Sequence, residues 1–207
     1  MKKISSKQIE RYSIYLKYLV MLKKSDINEI TSSEIAKEVG CSEETVRKDL
    51  QAITENGTPG QKRNIDLIIN DLEDFLGYHE KTNIIIVGIG NIGKALLSYA
   101  GFKEYGIKVV AGLDINIREN TVINDIKIYD MSKLKEVIQE NNVTTAVIAT
   151  RRTGSQALVD NLVECGIKAI YNFVPLYLRT DNKDVIIENI DIASSIAFLS
   201  RKSKGEN

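Results

Sequence analysis

The stretch that most limits how this chain folds is Gly88-Ile89-Gly90-Asn91-Ile92-Gly93. It follows the apolar run Ile84-Ile85-Ile86-Val87 without a gap and opens onto Lys94-Ala95-Leu96-Leu97. A β-branched run that stops at a glycine and restarts in helix formers predicts a strand, a tight turn and a helix. In that setting Gly88 permits the turn, Gly90 lets a pyrophosphate approach the backbone, and Gly93 lets the helix pack on the sheet. The N–H groups at the start of such a helix face the phosphates. Away from a strand–helix junction the same six residues would say little.

Beyond this motif the rhythm repeats. Short β-branched runs at Lys108–Ala111, Ile126–Ile128, Thr145–Ala149, Ala169–Asn172 and Val185–Ile187 alternate with amphipathic helical stretches. That alternation predicts an α/β fold with a doubly wound parallel sheet. The second strand ends Ala111-Gly112-Leu113-Asp114. A carboxylate there accepts hydrogen bonds from ribose hydroxyls and repels a 2′-phosphate, which favours NAD over NADP. The alternative is that Asp114 only caps a turn.

The first third of the chain has a different period. Ile9, Tyr12, Leu16 and Leu19 form one apolar stripe on a helix of about five turns. Thr31-Ser32-Ser33-Glu34 offers an N-cap and a capping-box pair, Thr31 with Glu34. Ile35, Ala36 and Val39 line the helix that follows, and Gly40 ends it in the left-handed conformation. Ser42 caps a further helix with Glu43 and Glu44 in its first turn and Val46, Leu50 and Ile53 as its buried stripe. This spacing predicts a helix-turn-helix. Thr45, Arg47 and Lys48 then fall on outward faces, as a helix lying in a major groove requires. Asn56-Gly57-Thr58-Pro59-Gly60 is a turn-rich loop, and Ile65 to Leu76 is a linking helix closed by Gly77.

Charge supports that division. The formal net charge is zero, yet residues 1–24 carry seven basic side chains against Glu10 alone, and residues 66–207 hold a surplus of three acids. A basic head on a mildly acidic body suits a double-stranded DNA partner, and scattered solvated lysines would give the same balance. The longest aliphatic run is far short of the roughly 20 residues of a membrane span, and no apolar run follows Met1-Lys2-Lys3, so a cytoplasmic protein without membrane contact is expected. Cys41 and Cys165 have no Cys or His neighbours at metal-ligand spacing, which argues against zinc and against a disulfide scaffold. Cys165 reads as packing or as a thiol sensor. The single histidine, His79, lies in the link before the first strand, and no nucleophile–base set is present, so no enzyme is expected.

With these two parts in about 200 residues, the chain resembles the Rex family, bacterial redox-sensing transcriptional repressors that release DNA when NADH binds. The markers are Ser32-Ser33-Glu34-Ile35-Ala36, Val46-Arg47-Lys48-Asp49-Leu50, the glycine motif with Asp114, and Gly166-Ile167-Lys168-Ala169-Ile170-Tyr171-Asn172-Phe173-Val174-Pro175. The resemblance implies a winged helix-turn-helix domain over residues 1–78, a Rossmann NAD(H)-binding domain over 79–190, and a C-terminal helix and tail over 191–207. That helix would swap across a homodimer bound to a palindromic operator. The implied cofactor set for NADH and NAD+ is Gly88, Gly90, Asn91, Ile92, Gly93, Asp114, Thr150, Asn172, Phe173 and Pro175. The implied DNA set is Ser33, Thr45, Arg47, Lys48, Lys62 and Arg63. The implied allosteric pivot joins Asp191 in turn to Lys17 and Tyr99. From its residues alone Asp191 is also an N-cap for the last helix.

Three positions depart from the family pattern. The glycine-rich wing with its final Gly-Tyr becomes Ile53 to Arg63, in which only Gly57 and Gly60 remain and Lys62-Arg63 replace Gly-Tyr. Thr150-Arg151-Arg152 stands where a Val-Pro pair is usual, and reads as an anion-pairing turn or a solvated loop. Ile192 replaces Phe or Leu. A Rex-like regulator with a lost or altered ligand response is therefore a second reading. An NAD- or CoA-using enzyme is a third, because the glycine segment also looks like the CoA-binding domains of succinyl-CoA synthetases.

Overall fold

The computed structural model describes residues 5–53, 61–117 and 121–205. The chain forms two compact units that divide between Glu80 and Lys81.

The first unit is helical. Helix α1 (Ser6–Lys24) is capped by the Ser5 side chain, and strand β1 (Glu29–Ile30) follows. Helix α2 (Ser32–Val39) begins with the expected capping box. The Thr31 N–H donates to Glu34 Oε2 at 2.7 Å while the Glu34 N–H donates to Thr31 Oγ1 at 3.2 Å. Gly40 ends it at φ 71°. Helix α3 (Glu43–Ile53) starts at Ser42, whose Oγ accepts the Thr45 N–H. Strand β2 (Arg63–Asn64) pairs antiparallel with β1, Ile30 facing Arg63, and helix α4 (Ile65–Leu76) ends at Gly77. Residues 54–60, with Gly57 and Gly60 of the expected wing, lie outside the described residues.

Leu16, Leu19, Ile35, Val46, Leu50, Ile65 and Leu72 form this unit's core with Tyr12 and Tyr15. One expectation needs correction. Ile9 is 45% exposed, and Tyr15 is fully buried in its stead. Periodicity puts Ile9 on the inward face, but it does not say how far along the helix axis the neighbouring helices reach.

The second unit is a seven-stranded sheet. Its strands are β3 (Thr82–Val87), β4 (Ile107–Asp114), β5 (Val122–Ile123), β6 (Ile126–Asp130), β7 (Thr145–Ile148), β8 (Ala169–Asn172) and β9 (Ile186–Asn189). Their order is β5-β6-β4-β3-β7-β8-β9, and every pair is parallel except β5 with β6. Helices α5 (Asn91–Leu97), α6 (Leu134–Glu140) and α7 (Ser155–Glu164) connect strands, and α8 (Ile192–Ser203) closes the described chain. Two aliphatic clusters, one around Ile85, Leu113 and Ile148 and one around Ile84, Ile86 and Val147, cover the two faces of the sheet. The antiparallel β5, two residues long, was not expected. With β4 and β7 flanking β3, the carboxyl end of β3 is the switch point where a ligand crevice opens.

Candidate functional site

The glycine turn is held by contacts that forbid other residues. Gly88 has φ 95°, and a Cβ there would sit 2.7 Å from the carbonyl carbon and oxygen of Ala149 at the end of β7. A Cβ on Gly93 would approach the Gly88 oxygen to 2.0 Å, so α5 packs against the turn only because Gly93 has none. Gly90 differs, because a Cβ there meets nothing within 4 Å. It is the N-cap of α5 and makes no side-chain capping bond, which leaves the first N–H groups of that helix without a side-chain cap.

Asp114, half-buried at the end of β4, locks the turn. Its Oδ2 accepts the Ile89 N–H at 2.7 Å and its Oδ1 accepts the Asn116 N–H at 2.9 Å. The turn-capping alternative is therefore present in the structure. A carboxylate has about four lone-pair sites, so two remain for a ligand. Asp114, Gly88, Gly90 and Thr150 line one cavity of about 930 Å³, a size suited to a dinucleotide. Among the described residues two cations line it as well, Lys94 on α5 and Arg151 after β7, and so do Ile115, Asn116 and Ile117 beyond β4. Sequence reasoning did not place Lys94 or the 115–117 loop there. Their common signal is position just past a strand's carboxyl end, or one turn into the following helix.

The remaining expected cofactor residues are not among those lining this cavity. Asn91 and Ile92 are exposed in the first turn of α5. Asn172 is fully buried at the end of β8. Its Nδ2 donates to the carbonyls of Val174 and Leu176 and to Asn189 Oδ1, while its Oδ1 accepts the Val174 N–H. The whole amide is thus used to shape the loop that follows. Phe173 packs edge-on to Tyr171, 5.2 Å between ring centres, and Pro175 is exposed; none of the three lines the cavity.

On the helical unit, α3 exposes Lys48, which pairs with Glu44 at 2.7 Å and holds that carboxyl below its usual range. Arg47 is half-buried, and Thr45 Oγ1 lies 2.8 Å from Ser42 Oγ. Ser33 and Lys62 are exposed, and Arg63 is half-buried on β2. Hydrogen bonds from Thr31, and then the charge of Lys62, lower the Glu34 pKa. Sequence reasoning missed the anchor beneath this surface. Asp49 is buried and accepts from Arg11 Nε at 2.7 Å, Arg11 Nη2 at 2.9 Å and the Tyr15 hydroxyl at 2.9 Å. The hydroxyl of Tyr12 donates to the Asp49 carbonyl. Burial, and then Asp49, push the Tyr15 phenol well above its ordinary pKa. The available signal was that Asp49 lies three residues after Val46, on the inward face.

Of the pivot residues, Lys17 is exposed on α1, and Tyr99 is 59% exposed with its ring edge-on to Phe102. Asp191 is the N-cap of α8, accepting the Ser194 N–H at 2.9 Å and the Ser194 hydroxyl at 2.6 Å, which lowers its pKa. Among the described residues no group of three His, Cys, Asp or Glu could hold a metal ion, and no helix is long and apolar enough to cross a membrane.

Two family models match, one described as "Putative DNA-binding protein N-terminus" over residues 3–51 and a CoA binding domain over residues 79–176. The redox-sensing transcriptional repressor Rex of Clostridium perfringens is 35% identical over 199 residues, covering 96% of this chain and 93% of that protein. The chain belongs to the Rex family. The Rex of Carboxydothermus hydrogenoformans is similarly close, 35% identical over 96% of this chain and 95% of its own. Among solved structures, the Rex-family repressor RSP in complex with NAD+ and operator DNA superposes with a TM-score of 0.91 at 31% identity, covering 100% of this chain and 95% of RSP. RSP in complex with NADH gives 0.85 at 30% identity, covering 100% and 97%.

Proposed function

We propose that this chain is a DNA-binding transcriptional repressor, not an enzyme, that senses the NADH/NAD+ ratio in the cytoplasm and releases operator DNA when NADH binds. The observation that carries this is the pairing, in one chain, of a helix-turn-helix unit with a glycine-lined crevice, in a relative of RSP, whose structure holds NAD+ and operator DNA together. The crevice fits a dinucleotide. Gly90 leaves its backbone open, N–H groups without a side-chain cap begin α5, and Asp114 keeps acceptor sites for ribose hydroxyls. Bound NADH supplies no reaction here; it acts by its different affinity for two arrangements of the protein. A homodimer is supported by α8, which buries no residue and exposes Ile192, Ile196, Phe198 and Leu199. Such a face needs a partner, and the swapped helix of the family provides one.

Ser33, Thr45, Arg47, Lys48, Lys62 and Arg63 are the proposed DNA contacts, and Asp191, Lys17 and Tyr99 the proposed switch between states. The test is a double titration with NADH and with a palindromic duplex selected from random sequence. NADH should weaken DNA binding, and DNA should weaken NADH binding by the same factor. Asp191→Ala should alter that factor more than either affinity alone. Tight NADH binding with unchanged DNA affinity would defeat the sensor reading. The turn at Thr150-Arg151-Arg152 favours a second reading, a Rex-like regulator with altered ligand preference, which NADPH and CoA in the same titration would reveal.

A further inference from the structure

The turn between β7 and α7 carries a charge that the glycine motif does not explain. Arg151 lines the crevice. Its carbonyl oxygen accepts the hydroxyl of buried Ser155 at 2.6 Å and that of Thr150 at 3.3 Å, so the root of the side chain is fixed from below. Among the described residues Arg151 forms no ion pair. Arg152 differs, since it does not line the crevice and its charge acts on Asp191. The carboxylate of the crevice, Asp114, stands on the opposite wall with both oxygens bonded to backbone N–H groups. Among the described residues, the β7 end of the crevice therefore carries an exposed cation without an ion-pair partner, on a backbone held by Ser155 and Thr150.

The strand order decides what meets that cation. With the adenosine ribose at the end of β4 and the diphosphate at the turn after β3, the pyridine half of a dinucleotide extends toward the end of β7. We infer that Arg151 is a specificity determinant for the redox state of the cofactor, an inference that rests on the function proposed above. The pyridinium ring of NAD+ is a cation and the dihydropyridine ring of NADH is neutral. A guanidinium at that end repels the oxidised ring alone. Its attraction to the diphosphate acts on both forms and cancels in the ratio of their affinities. The family's usual Val-Pro pair supplies no such charge.

The experiment is calorimetric titration of the full-length protein with NADH and with NAD+, for wild type and the charge series Arg151→Lys, Arg151→Gln and Arg151→Glu, at low and physiological salt. The ratio Kd(NAD+)/Kd(NADH) should hold in Arg151→Lys and fall about three- to tenfold in Arg151→Gln. It should fall further in Arg151→Glu, with NAD+ tightening outright, and the spread should shrink as salt rises. Arg151→Lys and a thermal melt of each variant separate a charge effect from misfolding. Equal changes in both constants along the series would mean a diphosphate contact only, and no change would mean a solvated side chain; either overturns the inference. Wild type that binds neither form would instead overturn the cofactor reading beneath it.

Discussion

Asp49 in the helical unit and Asp114 in the crevice are both carboxylates at the inner side of an element, and they differ in what their oxygens are left to do. Asp49 is 3% exposed, and its two oxygens take three hydrogen bonds from Arg11 and Tyr15. Asp114 takes one backbone N–H on each oxygen and still borders an open cavity. The first is closed and serves the fold; the second is half-satisfied and keeps acceptor sites on the crevice side. The same distinction separates the two basic surfaces. Arg11 is consumed by Asp49, whereas Lys94 and Arg151 face the crevice without an ion pair among the described residues.

The comparison is most exposed at Asp49. Asp49→Ala strands the Arg11 guanidinium and the Tyr15 hydroxyl against the α1–α3 contact. Breaking a buried ion pair by removing one partner costs about 3–5 kcal/mol, and the partial exposure of Arg11, 27%, puts this case near the lower end. Urea unfolding should show a loss of about 3 kcal/mol, with DNA affinity falling far more than NADH affinity. A loss under about 1 kcal/mol would mean the pair is worth no more than a surface one.

Why the sequence reveals one carboxylate and conceals the other is a matter of distance along the chain. The Thr31–Glu34 box, Gly40, Gly77 and the Gly88–Gly93 turn are set by neighbours a few residues away, so spacing shows them. Asp49 meets Arg11 across 38 positions, and no local pattern marks that meeting. Asp114 was legible because a motif carries its spacing, yet its bond to Ile89 depends on how β4 lies beside β3. Asn172 shows the converse. The resemblance assigns it to the cofactor, and the structure adds a use that no local pattern marks, its amide bonding the 174–176 loop and Asn189. The loop residues 115–117 had no period to betray them.

A middle-sized effect should come from the outer face of α3. Arg47→Ala leaves Val46, Asp49 and Leu50 in place, so the helix should remain folded while a contact to a phosphate or base edge is lost. A good bidentate base contact is worth about 1–3 kcal/mol, and operator affinity should fall at least about tenfold at fixed salt. A gel shift in which Arg47→Ala matches wild type would move the recognition surface elsewhere and remove the contrast between the outward and inward faces of α3.

The smallest effect is at Asp114, and it has two parts, one common to both cofactors and one that falls on NADH. Asp114→Ala removes the acceptor for the Ile89 N–H, which loosens the glycine turn and weakens every dinucleotide alike. It also removes the acceptor for the ribose hydroxyls and the repulsion of a 2′-phosphate, which weakens NADH but spares NADPH. Each lost hydrogen bond is worth about 1 kcal/mol, so NADH affinity should fall several-fold to about tenfold, and the preference for NADH over NADPH should narrow. The ratio of the two affinities isolates the ribose contribution from that of the turn, because the turn is common to both. A uniform loss with an unchanged ratio would leave Asp114 as a turn cap only, making it a fold residue like Asp49. Wild type that prefers NADPH would go further: Lys94 and Arg151 would then be the groups that receive the extra phosphate, and the orientation of the dinucleotide along β4-β3-β7 would have to be reversed.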